Sequence, residues 1–244
     1  EPLGTIGTTR AETGHPVGQI FGYVHDRLFT EDDFKDVENG VLKDGVPKQT
    51  FTAKVRPGDI KYVDLDKNGV IDTYDQMAIG GTENPEIVYG FGVNLRWKDL
   101  DFGAMFQGIG RTWRILSSNI MPASNKGSMY NIFDNYQDRW TVDNQSQDVF
   151  YPRADYGPNA NNSQKSTWWL RNMSFLRLKN LELGYSCPKK WLQGFVISNA
   201  RVFVRGTNLL TFSKFNLWDP ELATGDGAKY PAMKSVSVGF DITF

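Results

Sequence analysis

Cysteine occurs once, at Cys187, and histidine only twice, at His15 and His25. A single thiol excludes an internal disulfide and a thiolate metal site. The two histidines stand ten residues apart with no carboxylate at ligand spacing from either, so they read as ordinary surface or packing residues. No run of about 18 apolar residues occurs, which excludes a transmembrane helix. Charge of one sign is also missing: 27 basic and 28 acidic residues leave a net charge of −1. The total therefore exerts no pull toward nucleic acid or an anionic surface, and no nucleic-acid partner is expected. The start, Glu1-Pro-Leu-Gly4, has neither the basic residues nor the apolar segment of a secretory signal. With no initiator methionine, the chain is expected to be a piece of a longer polypeptide. Ser-His-Asp, zinc and phosphate-loop patterns are all lacking. A glycosidase would have to rest on two unplaced carboxylates, and the chain is expected not to be an enzyme.

What the chain does have is a period of two. From Ser235 to Phe244, Val236, Val238, Phe240, Ile242 and Phe244 alternate with Ser235, Ser237, Gly239, Asp241 and Thr243. Side chains alternate across a strand, so one face is apolar and the other polar. Strands of soluble proteins usually run about five or six residues, whereas a tilted transmembrane strand needs about nine to eleven. Tyr89, Phe91, Val93, Leu95 and Trp97 alternate in the same way with Gly90, Gly92, Asn94 and Arg96. After a tight turn at Lys98-Asp99, Leu100, Phe102, Ala104 and Phe106 continue the apolar face, predicting a long hairpin. Between Phe175 and Tyr185, Leu176 and Leu178 have one parity while Leu181, Leu183 and Tyr185 have the other, which predicts a bulge near Asn180. Val202 and Val204 oppose Arg201 and Arg205 on a further strand. Aromatic residues reach 14% of the chain, in keeping with a β-rich protein.

Between these strands, residues 108–167 are rich in Gly, Asn, Ser and Gln. A connection of that length is uncommon inside a compact domain but ordinary between the strands of an outer-membrane barrel. It contains one helical candidate, Tyr130–Trp140. Its tryptophans and tyrosines, Trp113, Trp140, Tyr151, Tyr156, Trp168 and Trp169, are expected to pack the loop or form an interfacial girdle rather than stack on a ligand. Residues 1–50 read mostly as loop, with a strand-like patch at 17–24 and a short helix capped by Thr30.

The sharpest local motif lies at 64–75. Oxygen-bearing side chains occupy positions one, three, five, nine and twelve of a calcium-loop template: Asp64, Asp66, Asn68, Asp72 and Asp75. Gly69 stands at position six, where the chain must turn. Val70 would offer its backbone carbonyl and Ile71 would anchor the loop inward. A hard cation takes six or more oxygens at about 2.3 to 2.6 Å, and it would offset the repulsion among four carboxylates. Asp75 is shorter than the usual final Glu, and 56–63 looks extended rather than helical. The expectation is a structural calcium staple, since a lone hand has no partner to open against.

Pro57-Gly-Asp-Ile-Lys-Tyr62, the acidic loop ending Val-Ile-Asp72, Ile79-Gly80, Pro85, Tyr89-Gly-Phe-Gly92 and Phe106-Gln-Gly108 resemble the late barrel region of SusC-like (SusC/RagA family) TonB-dependent transporters. Leu176–Tyr185, Asn208-Leu-Leu-Thr-Phe212, Asp219-Pro-Glu221, Tyr230-Pro231 and the final Phe244 continue the resemblance in order, from about Pro16 onward. Cys187 departs slightly, standing where the family more often has an aliphatic or aromatic residue. The resemblance implies an all-β fold: the C-terminal strands of a large plugged antiparallel transmembrane β-barrel with long extracellular loops, in the bacterial outer membrane. It divides the chain into an extracellular loop region at 1–84 and barrel strands at 85–244 with a long outer loop at 108–167. No segment is assignable to a plug, to earlier strands or to a TonB box. The implied function is import of glycans or peptides, with a SusD-like lipoprotein lid and energy from TonB. A soluble, calcium-stabilised glycan-binding or adhesion module is the alternative.

Overall fold

A computed structural model describes residues 11–116, 120, 133–155, 157, 159–194 and 196–244. The fold is all-β apart from one four-residue α-helix and four short 3-10 turns among the described residues. The chain divides into two compact units, one of Glu1–Glu83 with Trp113–Arg171 and the other of Asn84–Thr112 with Asn172–Phe244.

The second unit is a five-stranded antiparallel sheet. Its strands are β1 (Ile87–Trp97), β2 (Leu100–Gly110), β3 (Phe175–Ser186), β4 (Asn199–Ser213) and β5 (Ser235–Thr243). They pair in chain order, so β1 and β5 are the free edges. Register carries the alternation across all five. Phe102 lies opposite Leu95 and Leu183, Leu183 opposite Val204, and Val204 opposite Val238. One face is therefore continuously apolar, and its side chains are exposed: Phe91, Leu95, Trp97, Val236, Val238 and Phe240 among them. The expected bulge is present. Met105 pairs with Asn180 but Phe106 with Leu178, which leaves Lys179 unmatched and brings Leu176 and Leu178 onto the same face as Leu181 and Leu183. A second irregularity compensates on β4, where Asn180 pairs with Thr207 but Leu178 with Leu210. There Asn208 adopts φ +54°, in the left-handed region that Asn tolerates better than most residues. The displaced Leu209 side chain fills the space beside Gly206.

The first unit is built from short strands. Gln19–Tyr23 pairs with Gln76–Thr82, His25–Leu28 with Ile60–Tyr62, and Lys48–Gln49 runs parallel to Val70–Ile71. Phe29, Phe34 and Val55 form a buried cluster with Leu42 and Val46 against it. The helix expected after Thr30 is a single 3-10 turn, Glu31–Asp33, with Asp33 Oδ2 accepting the Thr30 N–H at 2.9 Å. β2 runs on to Gly110, and the segment from Trp113 packs with the amino-terminal segment. The cause is burial: Trp140, Tyr151, Trp168 and Trp169 are all in the core. Of the helix expected at 130–140, only a 3-10 turn at Asp134–Gln137 lies among the described residues. Residues 130–132 and Tyr156 lie outside them.

Candidate functional site

Three sites carry concentrated chemistry. The first is the acidic loop. Asp64, Asp66 and Asp75 each place a carboxylate oxygen within 4.8 Å of the others. Lys67 at φ +59° and Gly69 at φ +85° fold the loop back on itself. Asp64 accepts the Gly69 N–H at 2.8 Å, and Asn68 Oδ1 accepts the Val70 N–H at 2.7 Å. Asp75 is fully buried and accepts from Leu65 N at 2.7 Å and Asp72 N at 2.8 Å, tying both ends of the loop together. Burial pushes its carboxyl above the ordinary value, against those N–H donors, and nearby Asp66 adds to the rise. Ile71 is fully buried, and Gly69 O accepts the Lys48 N–H. Asp72 is not in the cluster: its carboxylate caps the turn Thr73–Asp75 by accepting the Tyr74 N–H at 2.7 Å. Among the described residues no basic side chain forms an ion pair with Asp64, Asp66 or Asp75. Three converging carboxylates without a counter-charge suit a hard divalent cation.

The second site is the segment Pro57–Tyr62, which the sequence marks only as part of a family pattern. Gly58 takes φ +86°, and a Cβ there would run into the Trp140 ring and Arg153. The fully buried Asp59 accepts from Arg56 N (2.8 Å), Arg153 Nε (3.2 Å), Asn159 Nδ2 (3.0 Å) and Asn162 Nδ2 (2.9 Å). Asn162 Oδ1 in turn accepts the Ile60 N–H at 2.9 Å, Asn161 donates to Ile60 O at 2.7 Å, and Tyr62 Oη donates to Asn161 O at 2.6 Å. Burial pushes the Asp59 carboxyl up, opposed by the Arg153 guanidinium. A buried carboxylate with a partly buried cation and two buried amides is a structural clamp, and it joins the two sequence segments of the unit.

The third site is the polar face of the sheet. Arg201 on β4 pairs with Asp101 on β2, a strand it does not hydrogen-bond to, by crossing β3 at Gly184. A Cβ at Gly184 would occupy the position of that ion pair. Arg201 also reaches Glu182 at 2.6 Å and Asp241 at 3.3 Å, and Arg205 reaches Glu182 at 2.6 Å. Phe203 lies between the two guanidinium groups, at 4.9 Å and 5.3 Å, and over Gly239. Beside this ladder, Gly90, Gly92 and Gly103 floor a hollow of about 850 Å³ rimmed by Asn94, Arg96, Met105, Asn180 and Glu182. Toward the other end, Arg177, buried in the sheet, is held by Asp219 and Glu221, and Lys179 joins Glu221 at 3.2 Å. The turn Pro220–Leu222 is thereby fixed to β3.

A sheet of strands this long, apolar and exposed on one face, charged and glycine-lined on the other, is wall material of a large transmembrane β-barrel. No protein-family model matches the chain. It is 32% identical over 202 residues to TonB-dependent receptor P26 of Formosa agariphila, covering 77% of this chain and 20% of that protein. It is 24% identical over 205 residues to TonB-dependent receptor SusC of Bacteroides thetaiotaomicron, covering 82% and 19%. The RagAB peptide importer in its open-open state superposes with a TM-score of 0.65 at 26% identity, covering 93% of this chain and 22% of that one. The chain belongs to the SusC-like TonB-dependent receptors, a family of outer-membrane proteins. It spans about a fifth of the length of the curated relatives it matches. These relatives are named as receptors and importers, not enzymes.

Proposed function

We propose that this chain supplies part of the barrel wall and mouth of an outer-membrane transporter that imports glycans or peptides with a SusD-like lipoprotein lid and energy from TonB. The observation that carries the reading is the continuous apolar face shared by five strands of nine to fifteen residues. A face of that kind suits hydrocarbon, and the charged face opposite suits a wet lumen. A soluble surface module has no use for Phe91, Leu95, Trp97, Val238 and Phe240 in water. Fractionating the source membranes tests the reading. A native polypeptide several times the 27.6 kDa of this chain in the outer-membrane fraction is the expected result, and a soluble species of 27.6 kDa would favour the calcium-stabilised module.

Within that transporter, the loop at 64–75 is proposed to hold a structural calcium ion. Asp64, Asp66 and Asp75 would be its charged ligands, with Asn68 and the Val70 carbonyl completing the set and Asp72 holding the turn. The ion would balance the three carboxylates and brace the fold around Ile71. In the whole receptor, Asp64→Ala with Asp66→Ala should abolish calcium binding at this loop and expose the chain near Gly69 to protease. A calcium titration that is unchanged in the double variant sinks the assignment.

A further inference from the structure

We infer that the end of the sheet bearing its shorter turns docks anionic phospholipid headgroups. The inference rests on the membrane reading above and concerns one leaflet of it. β1 and β2 join through Lys98-Asp99, and β3 and β4 through 187–198, both at the same end. The longer connections, 111–174 and 214–234, leave from the other. In barrels of this type the short turns face the periplasm, so this end meets the inner leaflet.

Two tryptophans mark the level. Trp97, the last residue of β1, stands on the apolar face and is 68% exposed; Trp191, in the helix Lys189–Leu192, is 66% exposed. Indole rings with an apolar body and one N–H settle at the boundary between acyl chains and headgroups. The cations stand beside them. Lys98, at φ +54°, places its ammonium 5.1 Å from the Trp97 ring centroid, and Lys189 and Lys190 directly precede Trp191. Among the described residues no carboxylate lies within ion-pair distance of Lys98, Lys189 or Lys190. The stretch 187–198 contains no acid, and the single acid of the two turns is Asp99. Three unpaired ammonium groups at the depth of two interfacial tryptophans complement the phosphodiester of a headgroup that carries net negative charge, such as phosphatidylglycerol. Both ends of this turn are tied to the sheet, with Cys187 N donating to Ala200 O at 2.7 Å and Ser198 N to Thr243 O at 2.7 Å.

The whole receptor tests this. It is reconstituted into vesicles of phosphatidylethanolamine and phosphatidylglycerol, re-extracted in mild detergent, and the retained phospholipids are quantified against the vesicle ratio. The wild type should retain phosphatidylglycerol in excess. The triple variant Lys98→Gln, Lys189→Gln, Lys190→Gln should lose that excess and retain the two lipids in the vesicle ratio, as expected for removing three cations from a charged interface. A control with Lys35→Gln, Lys43→Gln and Lys54→Gln should retain it. Undiminished excess in the first variant, or equal loss in the control, overturns the proposal. Retention of phospholipid with no headgroup preference refutes it while leaving the membrane reading intact. A receptor that stays soluble without detergent and retains no lipid would overturn both.

Discussion

Asp59 is the residue on which the first unit depends most. Four donors converge on its carboxylate from segments about 100 positions apart. Asp59→Ala would strip the buried Asn159 and Asn162 amides of this acceptor and leave Arg153 paired with Asp155. Leaving a buried donor unsatisfied costs about 1 to 3 kcal/mol. In the whole receptor, limited proteolysis should then cleave within 140–165 at least tenfold faster, with the strand unit unaffected. Gly58→Ala should act in the same direction, because φ +86° and the Trp140 ring both oppose a Cβ. Asp33 gives a pH signature. Burial pushes its carboxyl up, but the Arg27 guanidinium, bonded at 2.6 Å through both nitrogens, the Thr30 N–H and Lys61 outweigh that and hold it at about 2. A carboxyl depressed in the folded state stabilises fully above its unfolded pKa of about 3.9 and loses that stabilisation as pH falls toward 2. Local opening around 27–61, followed by hydrogen exchange, should therefore rise steeply between about pH 4 and pH 2. In Asp33→Asn that pH dependence should flatten. The sequence displays Asp33 as part of a capping signal. It gives no comparable sign of Asp59, whose importance comes from partners a hundred residues away.

At the scale of the element, a period of two was enough to place all five strands and their faces. Even the bulge at Lys179 was legible, because Leu178 and Leu181 cannot share a face without an extra residue between them. Deleting Lys179 removes the extra residue, so Leu176 and Leu178 should keep the face of Leu181 and Leu183 by plain alternation and Arg177 should stay on the polar face. The heat-resistant folded form of the receptor on electrophoresis should then be largely retained, whereas Leu183→Arg on the exposed apolar face, where a charge at mid-membrane costs about 2 to 4 kcal/mol, should sharply reduce it. The ion ladder was not legible. Arg201, Asp101 and Gly184 lie on three strands, and only the registers of two pairings together reveal that the glycine lets the other two meet. Gly184→Val should break that contact and lower the thermal midpoint of the barrel, an effect that Gly92→Val, beside the open hollow and away from the ladder, should not reproduce in full. In the acidic loop the spacing anticipated the approach of Asp64, Asp66 and Asp75, whereas the turn cap that Asp72 supplies was not legible.

Among the described residues the five-stranded sheet presents two unpaired strand edges, Ile87–Trp97 and Ser235–Thr243, and a wide apolar face. Hydrocarbon cannot satisfy open backbone groups, so further strands must cover both edges in the membrane. Expressed as these 244 residues alone, the chain should aggregate, or require detergent and still associate, on size-exclusion chromatography. A monodisperse monomer in plain buffer would contradict the account. What composition could not reveal was the assignment of 113–171, since a Gly- and Asn-rich segment looks like free loop until its amides and tryptophans are seen buried against 57–62.

The contact across Gly184 also bears on how such a wall is assembled. Neighbouring strands recognise one another through backbone groups that are alike at every position, so a strand arriving two residues out of step would still find a full ladder and keep its oily side outward. Arg201 discriminates where the backbone cannot. It meets Asp101 only when β3 on β2 and β4 on β3 are both in step, and so it checks two pairings at once. A mis-threaded intermediate would carry an unmatched arginine and an unmatched aspartate on the wet side, and would come apart more readily than the correct one.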